Sequence, residues 1–113
     1  LAALSGCRDG PELGKVSGRV TYKGEPVSGA VVSFIPRDER KQSIGFTNEE
    51  GEYELQYTLR REGALIGRHR VSVRVYPDQG RRPVPVPEKY GPKSKVEFEV
   101  ERGRNRFDIE LSL

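Results

Sequence analysis

One histidine and one cysteine are the whole supply of imidazole and thiol groups in this 113-residue chain. That scarcity decides most of the chemistry open to it. His69 cannot be half of a two-histidine metal pair, and a zinc site around it would need carboxylates to complete the ligand set. With one His and one Cys, Ser–His or Cys–His nucleophilic catalysis has few members to draw on. The densest run of oxygen donors is Asn48-Glu49-Glu50-Gly51-Glu52-Tyr53-Glu54. It lacks the spacing of a calcium loop, which needs alternating ligands, a central glycine and a distal bidentate glutamate. Alternation sends Glu52 and Glu54 to solvent and Tyr53 and Leu55 inward. The run is therefore expected to be a hairpin turn between strands, with Asn48 and Gly51 supplying the left-handed backbone such turns use. No metal and no cofactor are expected.

The elements that must carry these residues follow from composition. A third of the chain is charged and 34% is apolar, with 13 Gly and 8 Pro, so strands with one polar face and frequent turns are favoured over long helices. The net charge is +3, with 20 Lys and Arg interleaved among 17 Asp and Glu. No basic block is long enough to follow a phosphate backbone, and no nucleic-acid partner is expected. No run approaches the ~18 apolar residues of a spanning helix.

The lone cysteine sits in Leu1-Ala2-Ala3-Leu4-Ser5-Gly6-Cys7-Arg8. Apolar residues followed by two small ones, with an abrupt change to polar sequence, read as the tail of an export signal. Leu4-Ser5-Gly6-Cys7 resembles the lipobox of bacterial lipoproteins. The resemblance implies a diacylglycerol on the Cys7 sulfur, cleavage before Cys7, and acylation of the new amino group. Residues 1–6 are then the signal's tail, 7–14 the lipidated cysteine and linker, and 15–113 the domain. Several acyl chains anchor stably, each buried methylene contributing about 0.8 kcal/mol. The linker from Cys7 to Val16 reaches roughly 30 Å at full extension, which keeps the domain near its membrane. Arg8 resembles the pattern sorted to an outer membrane, so the expected location is the periplasmic face of that membrane or the cell surface.

Period-two alternation then marks seven strands. Val16, Val20 and Tyr22 share a face with Gly18, and Ala30, Val32 and Phe34 point inward up to Pro36. A short strand over 43–47 carries Ile44 and Phe46, and one over 52–59 puts Tyr53, Leu55, Tyr57 and Leu59 on one parity. Val71, Val73 and Val75 follow a connector over 60–67. Val96, Phe98 and Val100 lead into Phe107, Ile109 and Leu111. Two sheets packed face to face bury these rows most economically, an all-β sandwich of antiparallel or mixed pairing.

Three further features bear on binding. Arg68, Arg70 and Arg74 line one strand and Glu97, Glu99 and Glu101 another; as neighbours they would pair across strands, and apart they would be patches for a charged partner. The 77–94 segment holds five prolines and places Arg81, Arg82 and Lys89 around Tyr90. It is expected either to meet anionic glycans or lipid head groups, or to tuck Tyr90 against the sandwich edge. Lys15 and Asn105 come from the first and last strands, but with Lys15 outward and Asn105 in a turn they are poorly placed for an isopeptide bond.

Val16-Ser17-Gly18-Arg19-Val20, Gly24-Glu25-Pro26-Val27-Ser28-Gly29-Ala30-Val31-Val32-Ser33-Phe34, Thr47-Asn48-Glu49-Glu50-Gly51-Glu52-Tyr53-Glu54-Leu55 and Gly67-Arg68-His69-Arg70-Val71-Ser72-Val73 resemble, in order, the motifs of the carboxypeptidase-regulatory-like (transthyretin-like) domain. The likeness covers nearly the whole chain after Lys15. It implies a seven-stranded transthyretin-like Greek key, usually non-catalytic and accessory. The expected function is a lipid-anchored envelope protein serving as a structural or interaction module. A carrier binding a small ligand or carbohydrate through the 77–94 loop is the alternative. The fold also hosts hydroxyisourate hydrolases, but that chemistry needs more than one His and a C-terminal Tyr-Arg-Gly-Ser, whereas this chain ends Asp108-Ile109-Glu110-Leu111-Ser112-Leu113. Membrane, envelope-protein or glycan partners are expected; the sequence leaves the oligomeric state open.

Overall fold

The structure, a computed structural model, describes residues 10–76 and 84–112. Among these, twelve short strands form two sheets. The first is built around β1 (Leu13–Tyr22). Along one side of β1 lie three antiparallel pieces: β8 (Ala64–Leu65), β5 (Glu52–Glu54) and β2 (Glu25–Pro26). Along the other run β11 (Arg104–Arg106) and β12 (Ile109–Glu110), both parallel to β1. The second sheet has the order β10 (Glu97–Val100), β9 (Gly67–Val75), β3 (Ala30–Pro36), β4 (Ser43–Phe46), β6 (Gln56–Thr58), β7 (Arg61–Glu62), every pair antiparallel.

Between the sheets, Val16, Val20, Tyr53, Ile109 and Leu111 from the first meet Ala30, Val32, Phe34, Val71, Val73 and Val100 from the second. Full burial of such a side chain stabilises by roughly 1.5–3 kcal/mol. At one end the rings of Phe34, Phe98 and Phe107 pack with centroids 5.0 to 6.1 Å apart, and tilted or edge-on aromatic pairs contribute roughly 0.5–1.5 kcal/mol beyond their area.

Several expectations change. The seven expected short strands become twelve: one run divides between the sheets, and β2, β7, β8 and β11 form in stretches expected as turns or connectors. The run expected as one strand over 52–59 breaks at Leu55. Before it β5 pairs with β1, and after it β6 pairs with β4 in the other sheet. Phase is lost at the crossing, so Leu59, expected inward, is fully exposed. The Asn48–Gly51 turn is consequently not a hairpin. β4 pairs with β3 and β6 while β5 pairs with β1, and the turn is an arch between sheets. Asn48 organises it: its side-chain oxygen accepts from the backbone N–H of Glu50 and of Glu52, at 3.0 and 2.9 Å.

The parity of β4 is also reversed. Ser43, Gly45 and Thr47 are buried, whereas Phe46 is 70% exposed. The reason is steric: a Cβ on Gly45 would lie 2.7 Å from the Glu54 carbonyl oxygen, so the crossing chain leaves room for glycine alone on the inner side. Finally, the connector over 60–67 contains β7 and β8, and its Ala64 and Leu65 are buried.

Candidate functional site

The two charge stripes meet. β9 and β10 pair so that Arg70 faces Glu97 and Arg68 faces Glu99. Arg68 spans both carboxylates at 3.3 Å each, and Arg37 reaches Glu97 at 2.8 Å. Burial pushes the Glu97 carboxyl upward, but hydrogen bonds from Arg37 and Arg68 outweigh it and hold the pKa below its ordinary value. Exposed pairs of this kind contribute little to stability; they close this edge of the outer face to a charged partner. Arg70 turns away from the acids and donates to the Pro92 carbonyl at 2.9 Å.

His69 is buried, 1% exposed, with its ring 5.7 Å from that of Phe34. Its Nδ1 lies 3.0 Å from the Gly67 carbonyl oxygen, which makes Nδ1 the protonated nitrogen of the neutral ring. Nε2 has no partner. Burial depresses its pKa. The other buried side-chain atom without a partner among the described residues is Ser43 Oγ, but the two do not form a dyad. Ser43 pairs with Phe34 on one side of β3, and His69 with Pro36 on the other, so a whole strand separates them.

Cys7, the expected lipid attachment site, and Arg81 and Arg82 of the expected binding loop lie outside the described residues. Tyr90 ends a single 3-10 turn, Glu88–Tyr90, and is only 8% exposed, packed into the core. Ser72 Oγ donates to the Gly91 carbonyl at 3.1 Å and holds the turn against β9. Tyr90 is thus an edge cap and not an exposed aromatic; the loop closes the sheet where β10 has ended. Lys89 sits beside it, Nζ 5.4 Å from the ring centroid. Asn105 spends its amide on the turn before β11 and on the Lys15 backbone carbonyl at 2.9 Å, which leaves it no isopeptide role.

A different surface, missed in the sequence, gathers binding groups. The reversed parity of β4 puts Ile44 and Phe46 on the outer face of the second sheet. Register sets Phe46 beside Val31, and Val31 beside Arg74; the next row is Gln56, Ile44, Ser33 and Ser72. Tyr76, 53% exposed, lies just past β9, with its hydroxyl 3.4 Å from Arg74. A hollow of about 360 Å³ runs over these rows, with Gln42 and Pro92 in its wall. It shares Ile35 and Gln42 with a second hollow of about 800 Å³ that adds Arg37, Arg40, Arg70 and Lys95. The signal available in the sequence was Gly45, whose lack of a side chain marks which face of β4 is crowded.

No family model matches the chain, and no curated protein matches it. Among solved structures, the chain is similar to the crystal structure of a DUF3823 family protein from Parabacteroides merdae, with a TM-score of 0.53 and 16% sequence identity. The match covers 90% of this chain and 47% of that one, so the chain spans about half the length of its structural relative. The likeness is one of fold: a related β-sandwich.

Proposed function

We propose that this chain is a non-catalytic interaction module of the transthyretin-like type, exported and held at the cell envelope by lipid on Cys7. It engages an envelope component through the outer face of its second sheet. The observation carrying this reading is Phe46, 70% exposed on a face that also presents Val31, Ile44 and Tyr76. A large ring held in water on rigid strands, with aliphatic neighbours and Arg74 two strands across the same row, has the composition of an interface centre, where aromatic residues and Arg are enriched. The ordered motifs from Val16 to Val73 and the fold likeness to the DUF3823 protein support the domain type. Leu4-Ser5-Gly6-Cys7 supports the anchor.

A photo-crosslinking residue placed at Phe46 in the native envelope tests the face, with the same residue at Leu59, exposed but off that face, as the control. A discrete crosslinked species from position 46 and none from 59 is expected. Identical patterns from both positions overturn the reading.

A further inference from the structure

The chemistry of that face identifies its partner, given the reading just proposed. Backbone groups in the middle of a sheet are consumed by the ladders on either side. A partner lying there is recognised by side chains alone, whereas an extended peptide gains its main-chain hydrogen bonds at an edge. The side chains available are flat and apolar (Phe46, Tyr76, Ile44), neutral hydrogen-bonding (Ser33, Gln42) and cationic (Arg74). No carboxylate lines the hollow that Tyr76, Ile44, Ser33, Gln42 and Arg74 share; Phe46 stands at its margin, beside Val31. The adjoining hollow sets Arg37, Arg40, Arg70 and Lys95 against Glu39 and Glu97. Arg37 is tied to Glu97 at 2.8 Å and Arg40 to Asp38 at 2.7 Å, which leaves Arg70, bonded to the Pro92 carbonyl, and Lys95 outside any ion pair among the described residues. The trough therefore carries uncompensated positive charge at two places, Arg74 in the first hollow and Arg70 with Lys95 in the second, where Glu39 offsets part of it. From Val31 to Arg37 it extends six residue steps, roughly 20 Å at about 3.3 Å each.

We propose that this trough binds a carboxylate-bearing polysaccharide. The apolar faces of the sugar rings lie on Phe46 and Tyr76, and the ring hydroxyls bond to Ser33 and Gln42. The carboxylates meet Arg74 at one end, where guanidinium and carboxylate can pair through two parallel hydrogen bonds, and Arg70 and Lys95 at the other.

Affinity electrophoresis of the full chain through gels containing polygalacturonate, with dextran as the neutral control, tests this. Sedimentation with vesicles of phosphatidylcholine and phosphatidylglycerol runs in parallel. The parent should be retarded by polygalacturonate and not by dextran, and less so as salt rises. Phe46→Ala and Arg74→Ala should each weaken binding about tenfold, the size expected for truncating a central contact, at unchanged melting temperature. Leu59→Ala should bind like the parent. No retardation, retardation unaffected by the two face variants, or binding to the anionic vesicles alone overturns the proposal. A protein crosslinked from position 46 in the absence of polysaccharide binding overturns it too, while leaving the interaction-module reading intact.

Discussion

The hydroxyl of Tyr53 donates to the backbone carbonyl of Phe107 at 2.5 Å, and it does so across a strand. Tyr53 is paired with Gly18 of β1, and the missing side chain there opens the path: a Cβ on Gly18 would lie 1.9 Å from the Phe107 oxygen and 3.0 Å from the Tyr53 ring. One tyrosine of β5 thus reaches across β1 to the segment that joins β11 and β12. Burial raises its pKa well above the ordinary value, so the donor stays protonated. Tyr53→Phe should cost about 1–3 kcal/mol, the effect of leaving a buried carbonyl without its donor, read as a lower urea midpoint at unchanged slope.

Gly51 is held twice. Its carbonyl accepts from Val20 N–H at 2.8 Å, and its φ of +77° with a would-be Cβ 2.6 Å from the Val20 oxygen excludes a side chain. Gly51→Val should cost about 2 kcal/mol or more. Glu49→Ala, exposed on the same arch, should stay within about 0.5 kcal/mol. Equal melting temperatures for Gly51→Val and the parent would refute this account of the arch.

At the turn between β1 and β2 the chain carries avoidable strain. Lys23 and Gly24 have φ of +53° and +80° between the paired residues Tyr22 and Glu25, the two-residue loop for which Asn-Gly is favoured. A non-glycine residue there costs about 1–2 kcal/mol. Lys23→Asn keeps the backbone bond from residue 23 to the Glu110 carboxylate. It should raise stability by about 0.5–1 kcal/mol, seen as a melting point higher by a few degrees.

Acid should destabilise the domain in two separable stages. Burial holds the His69 pKa below 6.5, so the unfolded chain takes up the proton first. Stability from neutral His69 is complete above pH 6.5 and declines as pH falls from there through the folded-state pKa. Around the ring the charged groups are Asp38, Arg40 and Glu99. The carboxylates with lowered pKa act later. Glu110, hydrogen-bonded by Ser112 and Thr21, is held down to about 2, and its contribution is lost only as pH falls below 4.5. Urea midpoints from pH 7.5 to 5 should decline for the parent and stay level for His69→Leu; a level parent would refute the first stage.

Much of the sandwich was legible because alternation survives wherever a strand keeps one partner sheet. β1, β3 and β9 bury the residues their parity assigns, and the Arg and Glu stripes pair once β9 and β10 are neighbours. The candidate binding face was not legible, for two physical reasons. Around Gly45 the packing distance, and not hydrophobicity, decides which side chains point inward, so the bulky Phe46 faces water. At Leu55 the chain passes between layers, and period-two reasoning carries no information about such a crossing. Tyr90 was legible in one of its two readings: among basic residues it could have been a binding aromatic, but its ring tucks against the sandwich beside β9, the edge cap that the sequence also allowed.

The parallel pairing of β1 with β11 and β12 has a mechanical consequence. Because Lys15 sits against Arg104 and Thr21 against Glu110, a load drawing Leu13 and Leu111 apart pulls the two strands past each other lengthwise. Every ladder bond between them is then strained together and none can be peeled open singly. A domain tethered at its first strand and gripped near its last would resist tension as a shear joint.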